Sequence, residues 1–148
     1  MKNRLIKKLI LTNENWSILA LRLPIAIIFI AHGAQKLFGW FGGYGLEGTG
    51  QWMASIGLEP GYYMALLAGS VEFFGGLALF VGLLVRPVAL MLSITMVVAI
   101  FSVHFVNGLF MSNNGYEFAL VLLAASVSLM CSGSGKFSLD SVLKQRLD

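Results

Sequence analysis

The feature that most constrains this chain is a series of long apolar runs with very few charges. Four runs stand out: residues 16–38, 62–85, 87–106 and 116–131. A helix needs about 20 apolar residues to cross the hydrocarbon core of a bilayer. Only 11% of the residues are charged, against about 25% in a typical soluble domain. The sequence therefore predicts a single membrane domain over residues 1–148, an all-α integral membrane four-helix bundle embedded in the lipid bilayer.

Both ends of the chain carry amphipathic segments. The apolar positions that recur at helical spacing are Leu5, Ile6, Leu9 and Ile10 near the start, and Leu139, Val142, Leu143 and Leu147 near the end. Helices with one apolar and one basic face lie in the membrane interface. We therefore expect a short interfacial helix at each terminus. A cleavable signal peptide is disfavoured at the start, because the first apolar run begins late and contains Arg22.

The basic residues gather at one end of the predicted bundle. Four spans put both termini on one side, with Lys2, Arg4, Lys7, Lys8, Arg86, Lys136, Lys144 and Arg146. Segments on the cytoplasmic side of a membrane carry an excess of lysine and arginine. The sequence therefore predicts a multi-pass protein of the cell inner membrane with both termini in the cytosol. The net charge of +3 follows from this topology and does not indicate a nucleic-acid partner.

Five ionisable side chains in or beside the predicted spans are candidates for a site: His32, Lys36, Glu72, His104 and Glu117. An isolated charge at the bilayer centre costs at least about 2.5–3.5 kcal/mol, so such groups should face protein. All of them except Glu72 fall at span ends on the predicted outer side. Glu72 lies deeper, near the midplane, and we expect Arg22 to be its partner. One stripe of the first helix contains Arg22, Ile25, Phe29, His32 and Lys36.

These residue types suit a site for a quinone headgroup. In this interpretation His32, Lys36 and His104 contact the ligand, Glu117 orients a histidine, and Glu72 carries a proton at a deeper level. A metal held by His32, His104 and Glu117 is chemically reasonable but is not predicted, and haem is disfavoured because no attachment motif is present. The structural alternatives stay open: the histidines bind loop carbonyls, Lys36 reaches lipid headgroups, and Glu72 fixes helix packing.

Several short motifs occur in order along the chain: His32-Gly33-x-x-Lys36-Leu37-Phe38-Gly39, Glu72-x-x-Gly75-Gly76, Gly82-x-x-x-Arg86-Pro87, His104, Gly115-x-Glu117 and Gly133-x-Gly135-x-x-Ser138-Leu139-Asp140. Together they resemble the DoxX family of small bacterial and archaeal membrane proteins. The resemblance implies four transmembrane helices and a broad label of oxidoreductase, linked in some members to quinones, sulfur oxidation or oxidative stress.

Three functions follow from these observations. The first is a component of a quinone-linked redox or oxidative-stress system, in which redox chemistry needs a bound cofactor because the chain has one cysteine. The second is a non-catalytic membrane subunit that orients a partner oxidoreductase. The third, less favoured, is a proton- or solute-conducting bundle that uses Glu72. Small residues around Glu72 suit packing within the chain or a homo-oligomer.

Overall fold

The computed structural model describes residue 11 and residues 15–147, and this part is all-α. Its helices are α1 (Trp16–Phe38), α2 (Gly45–Ser55), α3 (Gly61–Val81), α4 (Val85–Ala99), α5 (Glu117–Ser132) and α6 (Leu139–Leu147). No strand occurs within the described residues. The all-α prediction is therefore confirmed. The basic helix expected over residues 1–11 lies outside the described residues, apart from Leu11.

Three stretches are long and apolar enough to cross a membrane: Trp16–Phe38, Gly61–Val81 and Val85–Asn107. Helix α5 is also apolar but has 16 residues, so it is about 24 Å long at 1.5 Å per residue. A hydrocarbon core is about 30 Å thick. The four apolar runs of the sequence thus correspond to three long helices and one shorter helix, as expected for a multi-pass membrane bundle.

The segment between the first two runs, residues 39–61, is rich in glycine, a composition that predicts a loop, and the structure differs from this prediction. The segment forms a 3₁₀ turn, Trp40–Gly42, followed by α2. Glycine disfavours helices by about 1 kcal/mol relative to alanine, which explains the wrong prediction. The glycines instead allow close packing of α2 on α3: a methyl group on Gly50 would lie 2.9 Å from Cα of Tyr62. Tertiary packing here outweighs local propensity.

Glycines also fix the register of α1 against α3. A methyl group on Gly33 would overlap the backbone nitrogen of Phe73, and one on Gly76 would lie 2.8 Å from the backbone nitrogen of Ile30. Small residues let two membrane helices approach to backbone contact. These two contacts pair α1 and α3 as antiparallel neighbours. They show that Gly76 serves packing within the chain.

This register separates Arg22 from Glu72, so the predicted pair between them is wrong. Arg22 lies opposite Gly82, where an added methyl group would be 2.7 Å from its Nη1. Gly82 is about 15 Å along α3 from Glu72. Arg22 is 1% exposed and donates hydrogen bonds to the carbonyl oxygens of Ser134 and Phe137. The prediction failed because it placed the end of α1 and the start of α3 at the same depth in the membrane. In the structure α2 lies between them in the chain, and α3 begins beyond the end of α1.

The turn between α3 and α4 is closed by Asp140. Its carboxylate accepts hydrogen bonds from the backbone nitrogens of Leu84 at 2.8 Å and Val85 at 3.1 Å, and so caps the start of α4. Its own backbone nitrogen donates to the carbonyl oxygen of Gly82 at 3.0 Å. Two of the motifs that carry the family resemblance therefore meet each other. We call the end of the bundle formed by residues 15–22, 82–88 and 133–147 the tail end.

Helix α6 confirms the helix expected at the end of the chain. Its apolar residues Leu139, Val142 and Leu143 are exposed in the described structure. At its base, the Lys136 ammonium lies 5.6 Å from the ring centre of Trp16. An exposed apolar face beside basic residues suits a position in the membrane interface, which stays a prediction.

Candidate functional site

A cavity of about 440 Å³ lies at the opposite end of the bundle, which we call the cavity end. All of the helices α1 to α5 contribute to its walls. Most of the lining side chains are apolar. The predicted site residues that line it are His32, Lys36, Glu72 and His104. The bundle therefore brings four of the five candidates to one cavity.

The charged groups of the cavity form an ion pair. Nζ of Lys36 lies 2.5 Å from Oε2 of Glu72, and their side chains are 23% and 3% exposed. Gly69 lets the end of α1 pack closely on α3 at this level, because a methyl group there would lie 2.8 Å from Cδ2 of Leu37 and 3.2 Å from Cβ of Lys36. Lys36 thus reaches inward along α3 to the deeper Glu72. The pair supplies a charged, hydrogen-bonding surface within an otherwise apolar enclosure.

His104 reaches the cavity because α4 changes its winding. The helix continues beyond Ala99 as a π turn, Ile100–His104, and then as a 3₁₀ turn, Phe105–Asn107. Single π turns inside helices occur frequently at functional sites. The imidazole Nδ1 lies 2.8 Å from the carbonyl oxygen of Asn114. The histidine is therefore held from the loop that precedes α5.

Glu117 does not line the cavity. Its Oε1 accepts a hydrogen bond from the backbone nitrogen of Met111 at 2.6 Å. Met111 begins the 3₁₀ turn Met111–Asn113, which leads into Asn114. The carboxylate therefore stabilises the loop that holds His104, and within the described residues it makes no hydrogen bond to either histidine.

His32 lies on the cavity wall beside Phe118, with a ring-centre distance of 6.0 Å. No protein group in residues 15–147 hydrogen-bonds its imidazole, so both ring nitrogens are available to a ligand. Across the described part of the chain, no three histidine, cysteine, aspartate or glutamate side chains converge as metal ligands do. The metal alternative with His32, His104 and Glu117 is therefore not formed.

The apolar part of the cavity could not be recognised from the sequence. Trp52, Met53, Met96 and Phe118 all line it. In a chain that is 57% hydrophobic, such residues do not differ from core or lipid-facing ones. The aromatic residues of the glycine-rich segment suit an interfacial belt or a cap over the bundle, and one of them, Trp52, lines the cavity.

Comparison with known proteins decides the family. The DoxX family profile matches residues 17–105, more than half of the chain. The chain belongs to the DoxX family. The match runs from the start of α1 through the π turn, so it includes the four candidate residues that line the cavity, His32, Lys36, Glu72 and His104. Glu117 and the tail lie beyond it.

Several curated proteins are similar to this DoxX protein. A Bacillus subtilis protein named "Putative oxidoreductase CatD" is 37% identical over 82% of this chain and 83% of its own length. The Escherichia coli protein named "Inner membrane protein YqjF" is 32% identical over 90% of this chain and 96% of its own length. A Mycobacterium tuberculosis protein, named only as an uncharacterized membrane protein, is 30% identical over 88% and 83%. No solved structure matches the chain.

Proposed function

We propose that the cavity binds the headgroup of a quinone, and that this DoxX protein is an inner-membrane component of a quinone-linked redox or oxidative-stress system. The observation that carries the proposal is the cavity of about 440 Å³ that joins an apolar lining to one ion pair and two imidazoles. Pockets for small apolar ligands combine an apolar lining with a few convergent polar groups. The name of the B. subtilis relative agrees with a redox role, and that of the E. coli relative with a place in the inner membrane.

The side chains have separable tasks in this proposal. Phe29, Met53 and Met96 exclude water and contact the ring of the ligand. Lys36 and Glu72 place a charge pair beside its oxygen atoms, and the histidines hold or release protons. When bound, the quinone supplies the electron chemistry.

Removal of the Lys36 ammonium should weaken quinone binding. We expect Lys36→Met to raise the Kd for a short-chain quinone analogue at least about tenfold, because a hydrogen bond from a charged group contributes about 1.5–3 kcal/mol. The measurement is fluorescence quenching in lipid nanodiscs. Trp52 lines the cavity, so Trp52→Phe should remove most of the quenching.

The matched control for this binding experiment is Lys144→Met, which removes a lysine of α6 at the tail end. It should bind the quinone analogue like the native protein. Equal affinities of native protein, Lys36→Met and Lys144→Met would contradict the proposed site.

A second function is favoured by the single cysteine, Cys131, which is exposed. Without a second thiol the chain cannot form a disulfide redox couple of its own, which agrees with a non-catalytic subunit for a partner oxidoreductase. Extraction of the purified protein separates the two functions. Co-purified quinone supports the first, and a preparation without quinone, haem or redox metal supports the second.

We also propose that the tail end faces the cytosol. Arg86, Lys136, Lys144 and Arg146 belong to this end, whereas Lys36 at the cavity end is engaged by Glu72. Cytoplasmic segments are enriched in such residues. A fluorescent protein fused after residue 148 should therefore fluoresce, and alkaline phosphatase at the same position should be inactive. The reverse pair of results would overturn the orientation.

A further inference from the structure

The hydrogen bond made by His104 determines which of its ring nitrogens carries the proton. Its Nδ1 lies 2.8 Å from the backbone carbonyl oxygen of Asn114. A carbonyl oxygen only accepts hydrogen bonds, so Nδ1 must be the donor. Neutral imidazole has a single N–H, which leaves Nε2 with a lone pair. Nε2 has no hydrogen-bond partner among residues 15–147.

The carbonyl group that fixes this tautomer is itself held in place. Asn114 adopts a left-handed conformation with φ of 60°, and its backbone nitrogen donates to the carbonyl oxygen of Met111 at 2.9 Å. The amide of Asn107 donates to the same Asn114 carbonyl at 3.3 Å. Glu117 accepts a hydrogen bond from Met111. The loop therefore presents one fixed acceptor to Nδ1 of His104.

Glu72 gives the cavity a second acceptor. Its Oε2 is engaged by the Lys36 ammonium, and an ionised carboxylate accepts hydrogen bonds only. Its Oε1 makes no hydrogen bond within the described structure, and Glu72 lines the cavity. Among the described residues around the cavity, Lys36 provides the one ammonium or guanidinium group. Glu72 engages one of its three N–H donors, and the others can still donate to a ligand.

We propose that the cavity selects the reduced, hydroxyl-bearing form of its ligand, a hydroquinone, over the oxidised quinone. A phenolic O–H can donate to Nε2 of His104, and a second O–H can donate to Glu72. Each hydroxyl oxygen can also accept from a donor such as Lys36 or His32. A quinone carbonyl can only accept, so it leaves both acceptors, Nε2 of His104 and the Glu72 carboxylate, unmatched. His104 is then the residue that determines specificity. This inference rests on the proposed quinone site and adds the redox form of the ligand.

The tautomer can be measured without any ligand. The chain has two histidines, so protein labelled with ¹⁵N-histidine gives two rings in solid-state NMR spectra. We expect one neutral ring with a protonated Nδ1 and a bare Nε2, and we expect its signals to disappear in His104→Asn. A protonated Nε2 at His104 would overturn the inference.

The ligand preference is tested with a matched pair, a short-chain hydroquinone and its quinone, each titrated anaerobically. His104→Asn is the informative variant, because its amide nitrogen can replace Nδ1 as donor to Asn114 while nothing replaces Nε2. We expect the native protein to bind the hydroquinone about tenfold more tightly than the quinone, as expected for one or two hydrogen bonds. His104→Asn should weaken hydroquinone binding several-fold and change quinone binding less than about twofold.

The possible outcomes separate the inference from the proposed function. If the native protein binds both forms equally, or if His104→Asn weakens both equally, the inference is overturned and the quinone site stands. If the native protein binds neither form, the proposed function fails and the ligand preference fails with it. A thermal unfolding curve of His104→Asn that matches the native curve shows that the comparison is between folded proteins.

Discussion

Lys36→Met should destabilise the protein by about 3 kcal/mol, the low end of the range for removing one partner of a buried ion pair. The substitution leaves the Glu72 carboxylate, which is 3% exposed, without its ammonium partner at 2.5 Å. The destabilisation should appear as a lower midpoint in chemical unfolding in detergent. Glu72→Met should have a similar effect, because the cation is then left without its anion.

The double variant Lys36→Met, Glu72→Met decides whether the ion pair is the cause. We expect it to be more stable than either single variant, because buried ion pairs can be replaced by apolar residues at little cost. Lys144→Met and Glu47→Gln are the matched controls, because neither residue forms an ion pair in the described structure. Each should change the free energy of unfolding by less than about 0.5 kcal/mol. Single-variant effects that simply add in the double variant would contradict the coupling.

Two adjacent glycines of α3 should respond differently to replacement by alanine. Gly76→Ala should destabilise by about 2 kcal/mol, since the new methyl group would lie 2.8 Å from the backbone nitrogen of Ile30 and 3.0 Å from the carbonyl oxygen of Ala26. Backbone atoms cannot move aside as a flexible side chain can. Helices α1 and α3 would have to separate, and the cavity between them would change shape.

Gly75→Ala is the internal control for this effect. Its methyl group would lie 3.4 Å from Cγ1 of Val88, an ordinary van der Waals distance, and alanine favours the helix by up to about 1 kcal/mol. We expect a neutral or stabilising effect in the same unfolding assay. Equal destabilisation by Gly75→Ala and Gly76→Ala would show that the packing of α1 on α3 differs from the one described here.

The sequence predicted the helices well because hydropathy is a local property. The bounds of the first span, Trp16–Phe38, are those of α1. The stripe on that helix was also informative: Arg22, Ile25 and Phe29 are buried. The partners of these residues could not be predicted, because they depend on helix register. That register follows from backbone contacts at Gly33 and Gly76 and from the unexpected helix α2.

The same distinction applies to the candidate site. Ionisable residues are rare in this chain, so His32, Lys36, Glu72 and His104 could be identified before their positions were known. The contact between Lys36 and Glu72 could not be predicted, because it depends on the register and close packing of α1 on α3, to which Gly69 contributes. The hydrogen bond between His104 and the Asn114 carbonyl depends on the π turn of α4 and on the left-handed backbone conformation of Asn114. Neither feature has a clear signature in hydropathy.

Photoaffinity labelling tests the central claim most directly. A quinone analogue with an azide on its ring is irradiated with the protein in nanodiscs, and the modified residues are identified by mass spectrometry. The account predicts labels on cavity residues such as Met53, Met96 and Phe118, with protection by excess unmodified quinone or hydroquinone. Labels confined to outward-facing residues such as Ile94 and Val121, without protection, would contradict it.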